Sequence, residues 1–145
     1  MVTNNITQRK SYSFAIRIVN AYKYLITKQK EFVLSKQLLR SGTAIGALVR
    51  EGIHAQSRPD FLNKMNIALK EAYETEYWIS LLYDTGYISK RMYQSIHEDS
   101  VELVKLLSST VKTMKDSLGI TKKTENESIQ KDVIKTNTDS NVIFP

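Results

Sequence analysis

Leu38-Leu39-Arg40-Ser41-Gly42-Thr43-Ala44-Ile45-Gly46-Ala47-Leu48-Val49-Arg50-Glu51-Gly52 spaces its apolar residues as a helix does, yet it holds three of the chain's five glycines. Each interior glycine costs a helix roughly 1 kcal/mol relative to alanine. Close approach to a neighbouring helix, along a surface almost bare of side chains, is the compensation this pattern calls for. The stretch therefore reads as a central buried helix over about 35–55, starting near Ser35. Leu34, Leu38, Ile45 and Val49 form its main apolar stripe. A second stripe runs Arg40, Ala44, Ala47, Glu51 and sets two alanines between a cation and an anion, roughly 16 Å apart on a helix rising 1.5 Å per residue. Those two charges are too far apart to pair with each other. They require partners on another helix or another subunit.

Three more helices surround this one. Upstream, about 11–29, Phe14, Ile18, Ala21, Tyr22, Leu25 and Ile26 share one arc at spacings of three and four. The opposite side carries Arg9, Lys10, Arg17, Lys23, Tyr24 and Lys28. Such a cationic face interleaved with a tyrosine suits phosphate contacts and base stacking. Downstream, Ser57-Arg58-Pro59-Asp60 marks a helix start, with Ser57 as N-cap, proline in the first turn and Asp60 as the acidic half of a capping box. That third helix reaches about Asp84. Its main stripe is Phe61, Met65, Ala68, Ala72, Ile79 and Tyr83, with Glu76 close by; a second stripe contains Ile67, Glu71, Glu74, Trp78 and Leu81. A helix apolar on two sides has more surface to bury than one small bundle core supplies, which argues for an oligomer.

Gly86 suits a left-handed C-terminal cap and Ser89 the next N-cap. The link between them is short enough to make the neighbouring helices antiparallel. The fourth helix, about 90–118, turns Met92, Ile96, Leu103, Leu107, Val111 and Met114 inward. The expected organisation is thus an all-α, antiparallel up-and-down four-helix bundle over 1–118 and a polar, disordered tail over 119–145.

Composition narrows the function classes. With no cysteine, disulfides and thiolate metal sites are impossible. No apolar run approaches a membrane span and the polar start lacks a signal-peptide core, so a cytoplasmic protein without a membrane partner is expected. The net charge of +6 is concentrated: residues 1–30 contain six basic residues and no acid, and the remainder balances. A sequence pI near 9.4 fits an RNA or DNA partner.

Catalytic signals are missing. His54 and His97 have no histidine or cysteine at ligand spacing, and His97-Glu98-Asp99 spreads over different helix faces. Phosphate-binding glycine loops and nucleophile elbows are lacking too. Glu71, Glu74 and Glu76 lack the Glu-x-x-His repeats of a bundle di-metal site. They read instead as carboxylates set against Arg40 or Arg50, with Arg40 expected to pair with Glu71 or Glu74. No enzyme, metal or cofactor is expected.

Gln37-Leu38-Leu39-Arg40-Ser41-Gly42-Thr43-Ala44-Ile45-Gly46, then Arg50-Glu51-Gly52, Ser57-Arg58-Pro59-Asp60-Phe61, Ala68-Leu69-Lys70-Glu71-Ala72-Tyr73-Glu74-Thr75-Glu76-Tyr77-Trp78 and Leu82-Tyr83-Asp84-Thr85-Gly86-Tyr87-Ile88 resemble, in order and spacing, the bacterial four-helix bundle proteins encoded in intervening sequences of 23S ribosomal-RNA genes. These proteins are often labelled S23 ribosomal proteins, a label taken from gene location. The resemblance covers about 11–118 and implies an up-and-down bundle that assembles as a ring of five. The same fold resembles the accessory protein of diversity-generating retroelements, which works with a reverse transcriptase and binds nucleic acid. The partners implied are further copies of the chain, RNA or another nucleic acid, and a reverse-transcriptase-like or ribosome-associated protein. Many relatives carry asparagine and isoleucine before the Arg-Glu or x-Glu step, where this chain has Ala47-Leu48-Val49, so the resemblance does not carry over any polar contact made by that asparagine. The combined expectation is a non-enzymatic, homo-oligomeric nucleic-acid-binding bundle. Arg9, Lys10, Arg17, Lys23, Tyr24 and Lys28 form its nucleic-acid face. Arg40, Ala44, Ala47, Glu51, Ile67, Glu71, Glu74, Trp78 and Leu81 form a helix or subunit interface. The rival expectation is a protein-interaction scaffold that touches no nucleic acid.

Overall fold

The computed structural model describes residues 2–120, with side chains from residue 6 onward. Four helices account for it: α1 Val2–Thr27, α2 Leu34–Ile53, α3 Arg58–Asp84 and α4 Lys90–Ser117. The expected tail over 119–145 lies, from residue 121 on, outside the described residues.

Each helix packs on the next, and α4 returns to α1 in the smallest of the four contacts. Arg17 on α1 meets Asp99 on α4, and the earlier Lys10 meets the later Glu102, so these two helices run antiparallel. The result is the up-and-down bundle expected from the short connections.

Most boundaries follow from local chemistry. Ser57 Oγ accepts from the Asp60 N–H at 3.2 Å, with Pro59 in the first turn, and Ser89 Oγ accepts from the Met92 N–H at 3.2 Å. Gly86 takes a φ of +86° after α3, where a side chain would be strained. One start differs from expectation. α1 begins at Val2 rather than about 11, although Thr and Asn crowd its first turns; Thr7 and Ser11 are buried against the bundle, so packing overrides weak propensity. α2 begins at Leu34, beside the expected Ser35, and its N-cap residue Val33 gives no side-chain cap. Glu31 does that work from the preceding turn: its carboxylate accepts from the N–H groups of Val33 (2.9 Å), Leu34 (2.9 Å) and Ser35 (2.6 Å), while the Ser35 hydroxyl donates to the Glu31 carbonyl at 2.8 Å.

Burial raises the Glu31 pKa, but these three backbone donors and the Ser35 side chain outweigh it and hold the carboxyl below the ordinary glutamate range. A depressed folded-state pKa contributes stability that is complete above the unfolded value, about 4.3, and fades as pH falls through the folded one. Glu31→Gln is therefore expected to cost about 1–2 kcal/mol at neutral pH. The gap to the parent should narrow as the solution is acidified below the unfolded value, as urea denaturation at a series of pH values would show.

The core is a continuous layer between the helices. Phe14, Ile18 and Leu25 of α1 face Leu38, Ile45 and Val49 of α2; Phe61, Met65, Ala68, Ala72 and Ile79 of α3 face Ile96, Leu103, Leu107, Val111 and Met114 of α4. Leu62, Thr75 and Leu82 join the buried side of α3, whereas Tyr83 and Met92 are only half-buried. One polar thread crosses the layer: the Thr75 hydroxyl donates to the Glu71 carbonyl at 2.7 Å and lies 3.1 Å from the Ser41 hydroxyl.

The glycines of α2 do permit close approach, chiefly to α1. A Cβ at Gly42 would lie 2.7 Å from Ile18 Cγ1, and one at Gly46 would lie 3.2 Å from the Ser11 carbonyl oxygen. Gly52 alone of the three turns to α3, against Met65, Lys64 and Phe61.

Candidate nucleic-acid interface

The basic residues of α1, with Lys28 just past its end, divide into two groups. Lys10 and Arg17 point toward α4. Lys10 pairs with Glu102, and the Arg17 guanidinium donates to Asp99 Oδ2 at 2.5 Å, the Ser95 hydroxyl at 2.7 Å and the Ser95 carbonyl at 3.2 Å. Both pairs are partly exposed, and such pairs contribute little stability, about 0–1 kcal/mol each. Their consequence is positional: they close the smallest contact of the bundle and use Asp99 and Glu102 of α4. Arg9, Lys23 and Lys28 are exposed and have no ion pair among the described residues. Tyr24 is half-buried against the core, and its hydroxyl accepts from Gln29 Nε2 at 2.7 Å.

The charges of the second stripe of α2 find partners on α3 of the same chain. Arg40 lies 2.5 Å from Glu74 Oε1 and 3.6 Å from Glu71 Oε1, and Glu74 Oε1 also accepts from the Trp78 indole N–H at 3.3 Å. At the far end of the stripe, Lys64 reaches Glu51 at 3.3 Å. Between these ties Ala44 is half-buried and Ala47 is exposed, so the small stripe faces outward; Ile67 and Leu81 sit half-buried along the α3 edge. On the α1 side, Tyr12, Ala15, Thr43, Gly46, Ala47 and Arg50 line a shallow groove of about 540 Å³, with the Arg50 guanidinium 5.8 Å from the centre of the Tyr12 ring.

His97 stacks on Tyr93, which stacks on Tyr83, and His97 Nε2 lies 3.3 Å from Glu76 Oε1. Among the described residues, no three His, Asp or Glu side chains converge as metal ligands.

Two features escape a reading of spacing. A pocket of about 430 Å³ opens between α1 and α4, with Leu25, Leu38, Ile79 and Leu82 as its apolar floor and Arg17, Arg91 and Ser95 among its lining. The turn between α1 and α2 leaves Phe32 and Val33 on the surface, 53% and 70% exposed. An apolar pair lying outside both periodic segments and flanked by lysines was the available signal for the second.

Comparison with known proteins places this geometry. The family model described as 23S rRNA-intervening sequence protein matches residues 3–109. The chain belongs to that family. The match begins well before the first helix was expected to start, in keeping with the long α1. A crystal structure of a protein of unknown function from the S23 ribosomal protein family of Bacteroides thetaiotaomicron VPI-5482 is 60% identical, covers 76% of this chain and 98% of its own, and superposes with a TM-score of 0.75. No match was found among curated proteins. For a chain of the intervening-sequence family, the described residues contain no helix long and apolar enough to cross a membrane.

Proposed function

We propose that this intervening-sequence family member is a non-enzymatic, homo-oligomeric bundle of the cytoplasm that binds RNA or another nucleic acid through the cationic side of α1. The observation that carries this reading is the division of the basic residues. Asp99 and Glu102 are used on Arg17 and Lys10, while Arg9, Lys23 and Lys28 stay exposed on a segment without acids.

Assembly is supported by apolar surface on two helices. Tyr12 and Ile16 of α1 and Tyr73 and Tyr77 of α3 are about half exposed in the single chain. A ring of five, as the resemblance implies, would repeat the cationic side around an axis and let weak phosphate contacts act together. Filter binding of the purified protein to structured RNA tests the reading. Retention is expected at low salt and should fall steeply at moderate salt; no retention at low salt rejects it.

The exposed Tyr73 and Tyr77 also favour a second reading, a scaffold for a reverse-transcriptase-like or ribosome-associated protein. Reversing the charges of Lys23 and Lys28 would then leave partner capture intact.

A further inference from the structure

We infer that one end of the bundle, built from the 28–33 and 85–89 connections, is a contact for single-stranded nucleic acid, with Phe32 as the stacking platform and Lys28, Lys30, Lys36, Lys90 and Arg91 facing phosphates. The inference rests on the nucleic-acid reading above and moves its centre from the side of α1 to the tip of the molecule.

Topology brings these residues together. α1 and α3 end here and α2 and α4 begin here, and the α1–α4 pocket is lined jointly by Tyr24, Leu38, Leu82, Ile88 and Arg91 from both connections and their flanking turns. All five cations are exposed, and none has an ion pair among the described residues. Two acids lie in the same segments. Glu31 is buried, with its carboxylate on three backbone N–H groups, and Asp84 is exposed.

Phe32 is held out by construction. Glu31 on one side is anchored by its N–H to the Leu25 carbonyl at 3.0 Å and by its carboxylate to the start of α2; Lys30 takes a left-handed φ of +53°. The Glu31 carboxylate also accepts from the Val33 N–H, so the backbone is held on both sides of Phe32 and binding has only the side chain left to order. Stacking of a base on an aromatic ring is indifferent to sequence, but it needs an unpaired base. Lys28 and Lys30 of the 28–33 turn, Lys36 in the first turn of α2 and Lys90 and Arg91 in the first turn of α4 share this end of the bundle with Phe32, and such a concentration of cations fits a phosphate backbone better than a neutral protein surface.

The experiment is fluorescence anisotropy of a labelled single-stranded RNA oligonucleotide, and of its duplex, titrated with the full chain at several salt concentrations. The single strand should bind more tightly than the duplex. Phe32→Ala should weaken single-strand binding by about 5-fold or more. Lys30→Gly keeps the left-handed backbone and removes one charge, so it should lower the slope of log affinity against log salt by about 0.7. Circular dichroism should show both variants folded, since neither position lies in the core. If Lys23→Gln and Arg9→Gln weaken binding while Phe32→Ala and Lys30→Gly do not, the tip is excluded and the α1 reading stands. If the parent protein binds no RNA, both fall. Capture of anionic phospholipid vesicles in place of RNA, lost in Phe32→Ala, would make the tip a membrane contact and overturn the proposal.

Discussion

Gly42→Leu is expected to destabilise the protein by about 1–2 kcal/mol, and pairing it with Ile18→Ala should recover at least about 1 kcal/mol of the summed cost. A Cβ at this position would meet Ile18 Cγ1 at 2.7 Å and Cγ2 at 2.8 Å. Ile18 is fully buried, so its branches have no empty space to enter. The two helices must separate or Ile18 must leave its rotamer, and insertions of this kind cost about 1–3 kcal/mol in packed cores. The better helix propensity of leucine returns up to about 1 kcal/mol, which is why a residue much larger than alanine is needed for a clear signal. Ile18→Ala alone should cost about 2–5 kcal/mol through its cavity. In the double variant the leucine fills part of that cavity, so the effects cannot add. Urea denaturation of the four proteins in the cycle gives the coupling directly; additive losses would mean that α1 and α2 do not meet at this point.

Arg40→Met should cost about 1–2 kcal/mol, most of it through Glu71. The Arg40 side chain is 56% exposed, so its own Coulomb contribution is screened, but that of Glu71 is only 18% exposed. Glu71 Oε2 is enclosed with no hydrogen-bond donor among the described residues, and Arg40 is the cation nearest the other oxygen. Removing the guanidinium leaves two carboxylates, Glu71 and Glu74, one helical turn apart with no counter-charge from α2. Glu71→Gln should then restore part of the loss in the Arg40→Met background, because the unpaired charge is gone. A cycle that shows Arg40→Met to be neutral would remove the α2–α3 ties from the list of structural features.

Much of this was legible along the chain, and the exceptions share a cause. Ser57-Arg58-Pro59-Asp60 and Ser89 announce helix starts because capping is local chemistry; the caps stand where those residues predict. The inward stripe of α4 is likewise local, a repeat of three and four that the core reproduces from Ile96 to Met114. The pairing of Arg40 with Glu71 and Glu74 was expected because uncompensated charges at a helix contact must find partners. Which partner helix a face meets is not local. Gly42 and Gly46 pack on α1, although the small stripe beside them suggested α3, since a helical wheel orders faces but does not say which neighbour stands at each. Arg17 and Lys10 are tied to acids far along the chain, so spacing alone could not separate them from Arg9, Lys23 and Lys28. Glu31 acts as a cap from outside the helix, through a turn whose shape depends on left-handed Lys30.

Native mass spectrometry of the full chain, sprayed from low-salt buffer without nuclease treatment, tests the combined claim of assembly and nucleic-acid binding most directly. The account predicts a species at five times the 16.6 kDa chain mass, carrying additional RNA mass that raised salt removes. A bare 16.6 kDa monomer, unchanged when RNA is added, would contradict it.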